Sequence, residues 1–412
     1  MKKLGKIARS IIPYDMREKL RILFFKHFRT IGILNLFSSL GLLTYRKYIQ
    51  VNHENVEVVF AEFKKNLKYQ KFSEENHIKP AYYIKEPSLE LQPFTATTKT
   101  VLLDIQNKNG FSFRNNHLLD KELNVLGENR TTELDERLPL PIYSQVLHTP
   151  IKLKGTVAYL SDPDPANYYH WMCRTLPLLR FYQKLLNFQE IDYFYVGKFP
   201  LKNFHKETLE AAGISMNRVI QEACTADRLL MAITNRSICF DNQINDPINK
   251  ESFLFSRYLF ADIIENSSKK NRLYIQRGNV SRRKLINETE VIGLLEKYGF
   301  QAVSMDNKTV QQQADLFSSA EAIVALHGAA LTNLLFAKPG VKVIELASYG
   351  YVNNCFYTMA SYAEADYLYL QGEKIEQNTN DLRNLDTLIN IPELEDILLR
   401  ASLNQVSSFT FE

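Results

Sequence analysis

Ala322-Ile-Val-Ala-Leu-His-Gly-Ala-Ala-Leu-Thr-Asn333 is a run of five apolar residues that meets a histidine, a glycine and two alanines. Five consecutive small or branched apolar residues read as a strand buried on both faces, the habit of a parallel sheet. The small residues that follow let a ligand approach the backbone, and a helix starting there offers free N–H groups suited to phosphate. Neither a P-loop nor the G-x-G-x-x-G fingerprint is present. His327, Gly328, Ala329 and Asn333 are therefore candidate binding residues by position, not by motif. A glycine serving only a tight turn and a histidine satisfied in the core are the competing reading.

The flanks make that strand one of a series. Arg272-Leu-Tyr-Ile-Gln276 predicts a strand, as do residues 300–304, 341–344 and 367–370. Asn287 with Glu290 gives a capping-box pattern for a helix to Tyr298, stopped by Gly299, and Thr309 with Gln312 repeats it for a helix to about residue 320. Strands alternating with helices imply a doubly wound parallel sheet, whose ligands sit beyond the carboxyl ends of the strands. Arg277, Asp306, His327-Gly328 and Glu345 stand there. Arg277 and the cluster Arg282-Arg283-Lys284 suit phosphate oxygens, although a charge run is more often a solvated loop. Glu345 suits ribose hydroxyls or is a surface carboxylate, and Asn287 is a ligand or only a helix cap.

Towards the amino end the same alternation returns. Residues 157–160 and 193–196 predict strands, 204–212 a helix and 218–221 a short strand. Between the first two lie a turn-rich loop, Ser161-Asp-Pro-Asp-Pro-Ala166, and a helix over about 167–186 kinked near Pro177. Residues 51–150 show only short apolar-rich runs at 56–60 and 101–105. Polar stretches at 241–250 and 266–271 flank one expected helix. The chain divides into a segment 1–50, a first α/β domain 51–248 and a second, nucleotide-binding one 249–412.

Composition narrows the function. At 412 residues, 45% hydrophobic and 23% charged, the chain has length for two soluble cores. Four scattered cysteines fit a reducing compartment, and eight histidines without ligand spacing give no metal centre. Net charge is +4, but residues 1–50 carry eleven Lys/Arg against Asp15 and Glu18, so the remainder is acidic. That balance, with no aromatic-basic recognition motif, excludes nucleic acid as the expected partner. Residues 30–43 are too short and too polar for a membrane span. A basic amphipathic helix over 1–50 suits an anionic membrane surface, or it packs on the first domain with its charges in water.

Taken in order, several segments resemble glycosyltransferase family 61, the DUF563 group of bacterial capsule-type, plant xylan and animal O-linked N-acetylglucosaminyl transferases. They are Asn167-Tyr-Tyr-His-Trp171 with Leu176-Pro177; Ile275-Gln-Arg277; Ser281-Arg-Arg-Lys-Leu-Ile-Asn-Glu288; Gln313 with Phe317 and Ala320; His327-Gly-Ala-Ala-Leu-Thr-Asn333; Pro339-Gly340; and Val343-Ile-Glu-Leu346. The likeness covers roughly residues 138–370. It implies a GT-B architecture: two Rossmann-like domains whose parallel sheets face across a cleft, donor on the second and acceptor on the first. It also implies an inverting transferase that takes a nucleotide-sugar as substrate and needs no cofactor. A glycan or lipid-linked glycan would be the acceptor, in bacterial surface polysaccharide synthesis. That places the protein in the cytoplasm or on the inner face of the plasma membrane. Where the family has an acidic residue four positions after the histidine, this chain has Arg174.

Inverting transfer needs a base for the acceptor hydroxyl and cations or N–H donors for the leaving diphosphate. Arg277, Arg282, Arg283 and the helix start after His327 supply the second without a metal. His170, near the start of a helix that follows a strand end, is the first candidate base, and Asp162 and Asp164 are the reserves. The competing class is a nucleotide-binding regulatory or scaffold protein that kept the fold and lost catalysis, a reading that Arg174 alone favours.

Overall fold

The structure, a computed structural model, describes residues 47–50, 68–78, 82–83, 94–107, 110–114, 117–122, 124–127, 149–162, 164–234, 238–240, 243–245, 248–268, 270–278, 283–376 and 384–405. The expected amphipathic helix of the first segment, the apolar run at 56–60 and Arg282 lie outside the described residues. Among the described residues no helix is long and apolar enough to cross a membrane.

The fold is mixed α/β, organised by three six-stranded sheets. The first comprises β1 (Lys68–Ile78), β2 (Phe94–Gln106), β3 (Thr156–Tyr159), β4 (Tyr193–Tyr195), β5 (Val219–Ile220) and β6 (Arg228–Thr234). Its spatial order is β5-β4-β3-β6-β2-β1. Strands β3 to β6 are parallel, while β2 and β1 add antiparallel at one edge. A second sheet contains β7 (Asn271–Gln276), β8 (Phe300–Ser304), β9 (Ala320–Leu326), β10 (Lys342–Ala347) and β11 (Asp366–Gln371), all parallel, in the order β8-β7-β9-β10-β11. A third, small sheet covers one face of the first, with Phe113 stacked on Tyr195 at 5.3 Å between ring centroids.

Strand order decides where ligands can go. The parallel strands of the first sheet run 3-2-1-4 and those of the second 2-1-3-4-5, both doubly wound orders. The order reverses between β3 and β6 in the one and between β7 and β9 in the other. Successive connections leave those two points in opposite directions, so a crevice opens at each.

The expected elements appear with local differences. β8 occupies the residues expected of it, and β7, β9, β10 and β11 extend by one to three residues. After Gly328 the chain forms a 3₁₀ helix, Ala329–Phe336, not an α-helix. The single helix expected after residue 250 is two, Lys250–Tyr258 and Ala261–Asn266, broken at Phe260 with φ −127°. The kinked helix is a composite: an α turn Tyr168–His170, a π turn Trp171–Thr175, a 3₁₀ turn Leu176–Leu178 and an α-helix Leu179–Gln183. Pro177 lacks the N–H that a regular α-helix would use there, and the wide turn before it absorbs the mismatch.

The halves are laced together across the expected boundary at 248/249. Asn249 caps the helix Lys250–Tyr258, and Ser256 of that helix donates to the Met172 carbonyl at 2.7 Å. Tyr82–Tyr83 adds a parallel strand beside β11, and Gln243–Asn245 pairs with Val352–Asn353. One apolar cluster runs from Leu102, Phe181 and Phe194 to Ile323, Leu334 and Phe356.

Candidate active site

The second sheet's crevice is built around Arg277 and His327. Arg277 follows β7, and its Nη1 donates to the His327 carbonyl at the end of β9, at 2.8 Å. Its guanidinium lies against Gly328, where an added Cβ would stand 3.4 Å from Cζ. Gly278, with φ +65°, turns the chain next, and a Cβ there would meet the Asp306 carboxylate at 2.4 Å. The positive φ is what favours glycine at 278, while the exposed Asp306 carboxylate can swing aside. Arg283, half-buried with φ 53°, and the Lys284 amide, which donates to Asp386 at 2.7 Å, fix the end of the basic loop. Ala329 is exposed beside the buried Gly328.

Behind this surface the His327 ring is closed in. Its Nδ1 faces the Glu345 carboxylate, whose other oxygen accepts from the Tyr367 hydroxyl. Burial, reinforced by Glu345, holds the Tyr367 phenol well above its ordinary range, so it remains a donor. Tyr351 and Phe356 pack on the imidazole at 5.2 and 5.0 Å. Glu345 is 1% exposed with both oxygens engaged, so the carboxylate expected at the ribose instead holds His327.

The first sheet's crevice carries the other histidine. Beyond β3, the loop 160–166 leads into the composite helix, whose first turn Asn167 caps by accepting from the Tyr169 N–H. His170 Nδ1 lies 3.2 Å from Asp162 Oδ1 and 3.3 Å from Arg174 Nη1. Asp162 is buried and also accepts from the Asp164 N–H at 2.9 Å, whereas Asp164 is exposed. Arg174 lies over the Tyr169 ring at 5.7 Å.

The two crevices are joined by buried contacts. Tyr169 packs edge-on against His170 and against Phe356, the ring that also packs on His327. Tyr168 donates to Asn333 Oδ1 at 2.8 Å, and Asn333 Nδ2 donates to Gln313 at 2.7 Å and to the Ala330 carbonyl at 3.1 Å. Burial pushes the Tyr168 phenol far up, so it stays protonated. Asn333, expected at the ligand, is fully buried and ties the two halves together.

Asn287 also departs from expectation. It makes no side-chain cap; its amide donates to the Ile389 carbonyl at 2.8 Å and accepts from the Ile389 N–H at 3.1 Å. The side chain thus holds the backbone of Ile389 and does not cap its own helix. Thr309 and Gln312 form their capping box in full.

His205, absent from the sequence-based candidates, supports the site from below. Its Nε2–H donates to the Pro165 carbonyl and its Nδ1 accepts from the Lys202 N–H, both at 2.9 Å. Burial lowers it to about 4, so the ring is neutral. Trp171 lies 4.6 Å from it and donates from Nε1 to Thr208 at 2.8 Å. Among the described residues no group of three or more His, Cys, Asp or Glu is arranged to hold a metal ion.

The family description Glycosyltransferase 61 matches residues 168–344, a span that opens at Tyr168 and includes His170, Arg277 and His327 but not Asp162 or Glu345. A beta-1,2-xylosyltransferase of Oryza sativa subsp. japonica is 33% identical over 87 residues, 21% of this chain. The matched part spans only 18% of that relative's length.

Proposed function

Taking as premise that residues 168–344 belong to glycosyltransferase family 61, we propose that this chain moves a sugar from a nucleotide-sugar donor to a glycan acceptor with inversion. The observation that carries this reading is the pairing of crevices: His170 at one strand-order reversal, Arg277 and Gly328 at the other, joined through Tyr169 and Phe356. In a GT-B arrangement the donor lies on the second sheet and the acceptor on the first.

His170 takes the proton of an acceptor hydroxyl as its oxygen attacks the anomeric carbon. The bond from that carbon to the diphosphate oxygen breaks, and its electron pair leaves with the nucleoside diphosphate. Attack opposite the leaving group inverts the centre. Arg277, with Arg282 and Arg283 of the basic loop, offsets the charge on the leaving group, and the N–H groups after Gly328 add to this. Glu345 acts through His327, whose carbonyl anchors Arg277. The transfer runs without a metal under this reading. The basic segment 1–50 would hold the enzyme on an anionic inner membrane face, where a lipid-linked glycan of a bacterial capsule or lipopolysaccharide is extended.

The test is a nucleotide-sugar panel incubated with the purified chain, scored for release of nucleoside diphosphate with and without glycan acceptors. Turnover on at least one donor is expected, and Arg277→Ala should weaken nucleoside diphosphate binding by about 1.5–3 kcal/mol in calorimetry. Binding without turnover on any donor would favour the regulatory or scaffold alternative. Unchanged affinity in a folded Arg277→Ala would remove the diphosphate from this crevice.

A further inference from the structure

We infer that Asp162 is a positioning residue that fixes the His170 tautomer, leaving Nε2 as the atom that receives the acceptor proton; this rests on His170 being the base. Two groups compete for Nδ1: Asp162 Oδ1 at 3.2 Å and Arg174 Nη1 at 3.3 Å. A carboxylate only accepts and a guanidinium only donates, so they demand opposite tautomers. With Nδ1 protonated the ring donates to Asp162; with Nδ1 bare it accepts from Arg174.

Burial decides between them. The Asp162 side chain is 3% exposed, and a carboxylate out of water needs its donors within the protein. Its Oδ1 already receives the Asp164 N–H at 2.9 Å, which directs that oxygen towards the ring. Arg174 is only half-buried and lies over the Tyr169 ring, so it is less cut off from water than the carboxylate. Losing the Nδ1 contact therefore costs the guanidinium less than it costs the carboxylate. The loop bearing Asp162 is also braced from behind by His205 at the Pro165 carbonyl and Lys202 Nζ at the Ala166 carbonyl, both 2.9 Å.

The consequence is a defined proton route. The hydroxyl proton passes to Nε2 as the new carbon–oxygen bond forms and the bond to the diphosphate breaks. The imidazolium keeps its Nδ1–H on Asp162, which stays a carboxylate throughout. Asp162 itself is too deeply buried to reach the acceptor, while the His170 side chain is 23% exposed. Arg174 thus stands beside the pair without setting the tautomer.

The test combines spectroscopy and kinetics on the full chain. In ¹⁵N-histidine spectra of the wild type, with His170 assigned by loss of its signals in His170→Gln, Nδ1 should be the protonated nitrogen and Nε2 the bare one. Asp162→Asn should abolish that preference and lower kcat by about 10²–10⁴-fold while donor KM stays near wild type. The double variant D162N/H170A should be no slower than H170A. A wild-type ring protonated on Nε2 overturns the proposal whether or not any variant folds, and so do losses that multiply in the double variant. Full turnover in H170A overturns the base assignment itself, a different failure that leaves the tautomer signal to report separately on Asp162.

Discussion

The chain contains two histidine–carboxylate pairs at corresponding points of two sheets, buried to different depths. In the first crevice the His170 side chain is 23% exposed over an Asp162 at 3%; in the second, His327 is 8% exposed over a Glu345 at 1%. In the proposed mechanism the open pair exchanges a proton with a bound molecule. The closed pair is walled in by Tyr351, Phe356 and Tyr367, and the His327 carbonyl holds the Arg277 side chain. On the proposed reading a histidine and a carboxylate do opposite work at the two points, and the depth of the ring separates chemistry from scaffolding.

The sharpest way to break this contrast is to remove each pair in turn. His170→Ala should reduce kcat by roughly 100-fold or more, with nucleoside diphosphate affinity and melting temperature near wild type. A large fall in melting temperature would make His170 a second scaffold residue. Glu345→Gln should do the reverse, costing about 3 kcal/mol of stability in urea unfolding, because one buried donor is left facing an amide N–H. An intact fold with lost catalysis would move Glu345 into the chemistry.

The smallest effect is a pH dependence beneath the open pair. His205 is neutral in the fold, lowered to about 4 from an ordinary 6.5 by burial. The unfolded chain gains this proton first as pH falls. The stability contributed by neutral His205 is therefore fully present above pH 6.5 and lost progressively towards pH 4. Melting temperatures between pH 7 and 4.5 should fall less steeply in His205→Gln than in the wild type. Equal slopes would show that other groups carry the acid sensitivity.

What the sequence disclosed follows from how local each signal is. The five parallel strands of the second sheet were legible because runs such as Ala322-Ile-Val-Ala-Leu326 are apolar on both faces and bounded by turns. Thr309 and Gln312 cap as their letters predict, since both partners lie within one turn. Asn287 carries the same pattern but is taken by the backbone of Ile389, 102 positions away. Glu345, expected just past a strand end, lies inside β10, and nothing in the sequence signalled that His327 and Tyr367 would engage both its oxygens. The long antiparallel strands β1 and β2 escaped for a related reason. β1 alternates mostly between exposed and half-buried residues, and its place is defined by pairing with β2.

The short strand Tyr82–Tyr83 has a consequence for how the molecule is made. It pairs with Leu368 and Tyr369, so the two partners leave the ribosome separated by 286 positions of the 412. Such a contact closes a very long loop, and it can form only after most of the second sheet exists. Until then the nascent protein holds Tyr82–Tyr83 without its strand partner, open to a neighbouring chain. Slow acquisition of the native state, and a dependence of yield on chaperones or low expression temperature, follow from two tyrosines that wait for the far end of the polypeptide.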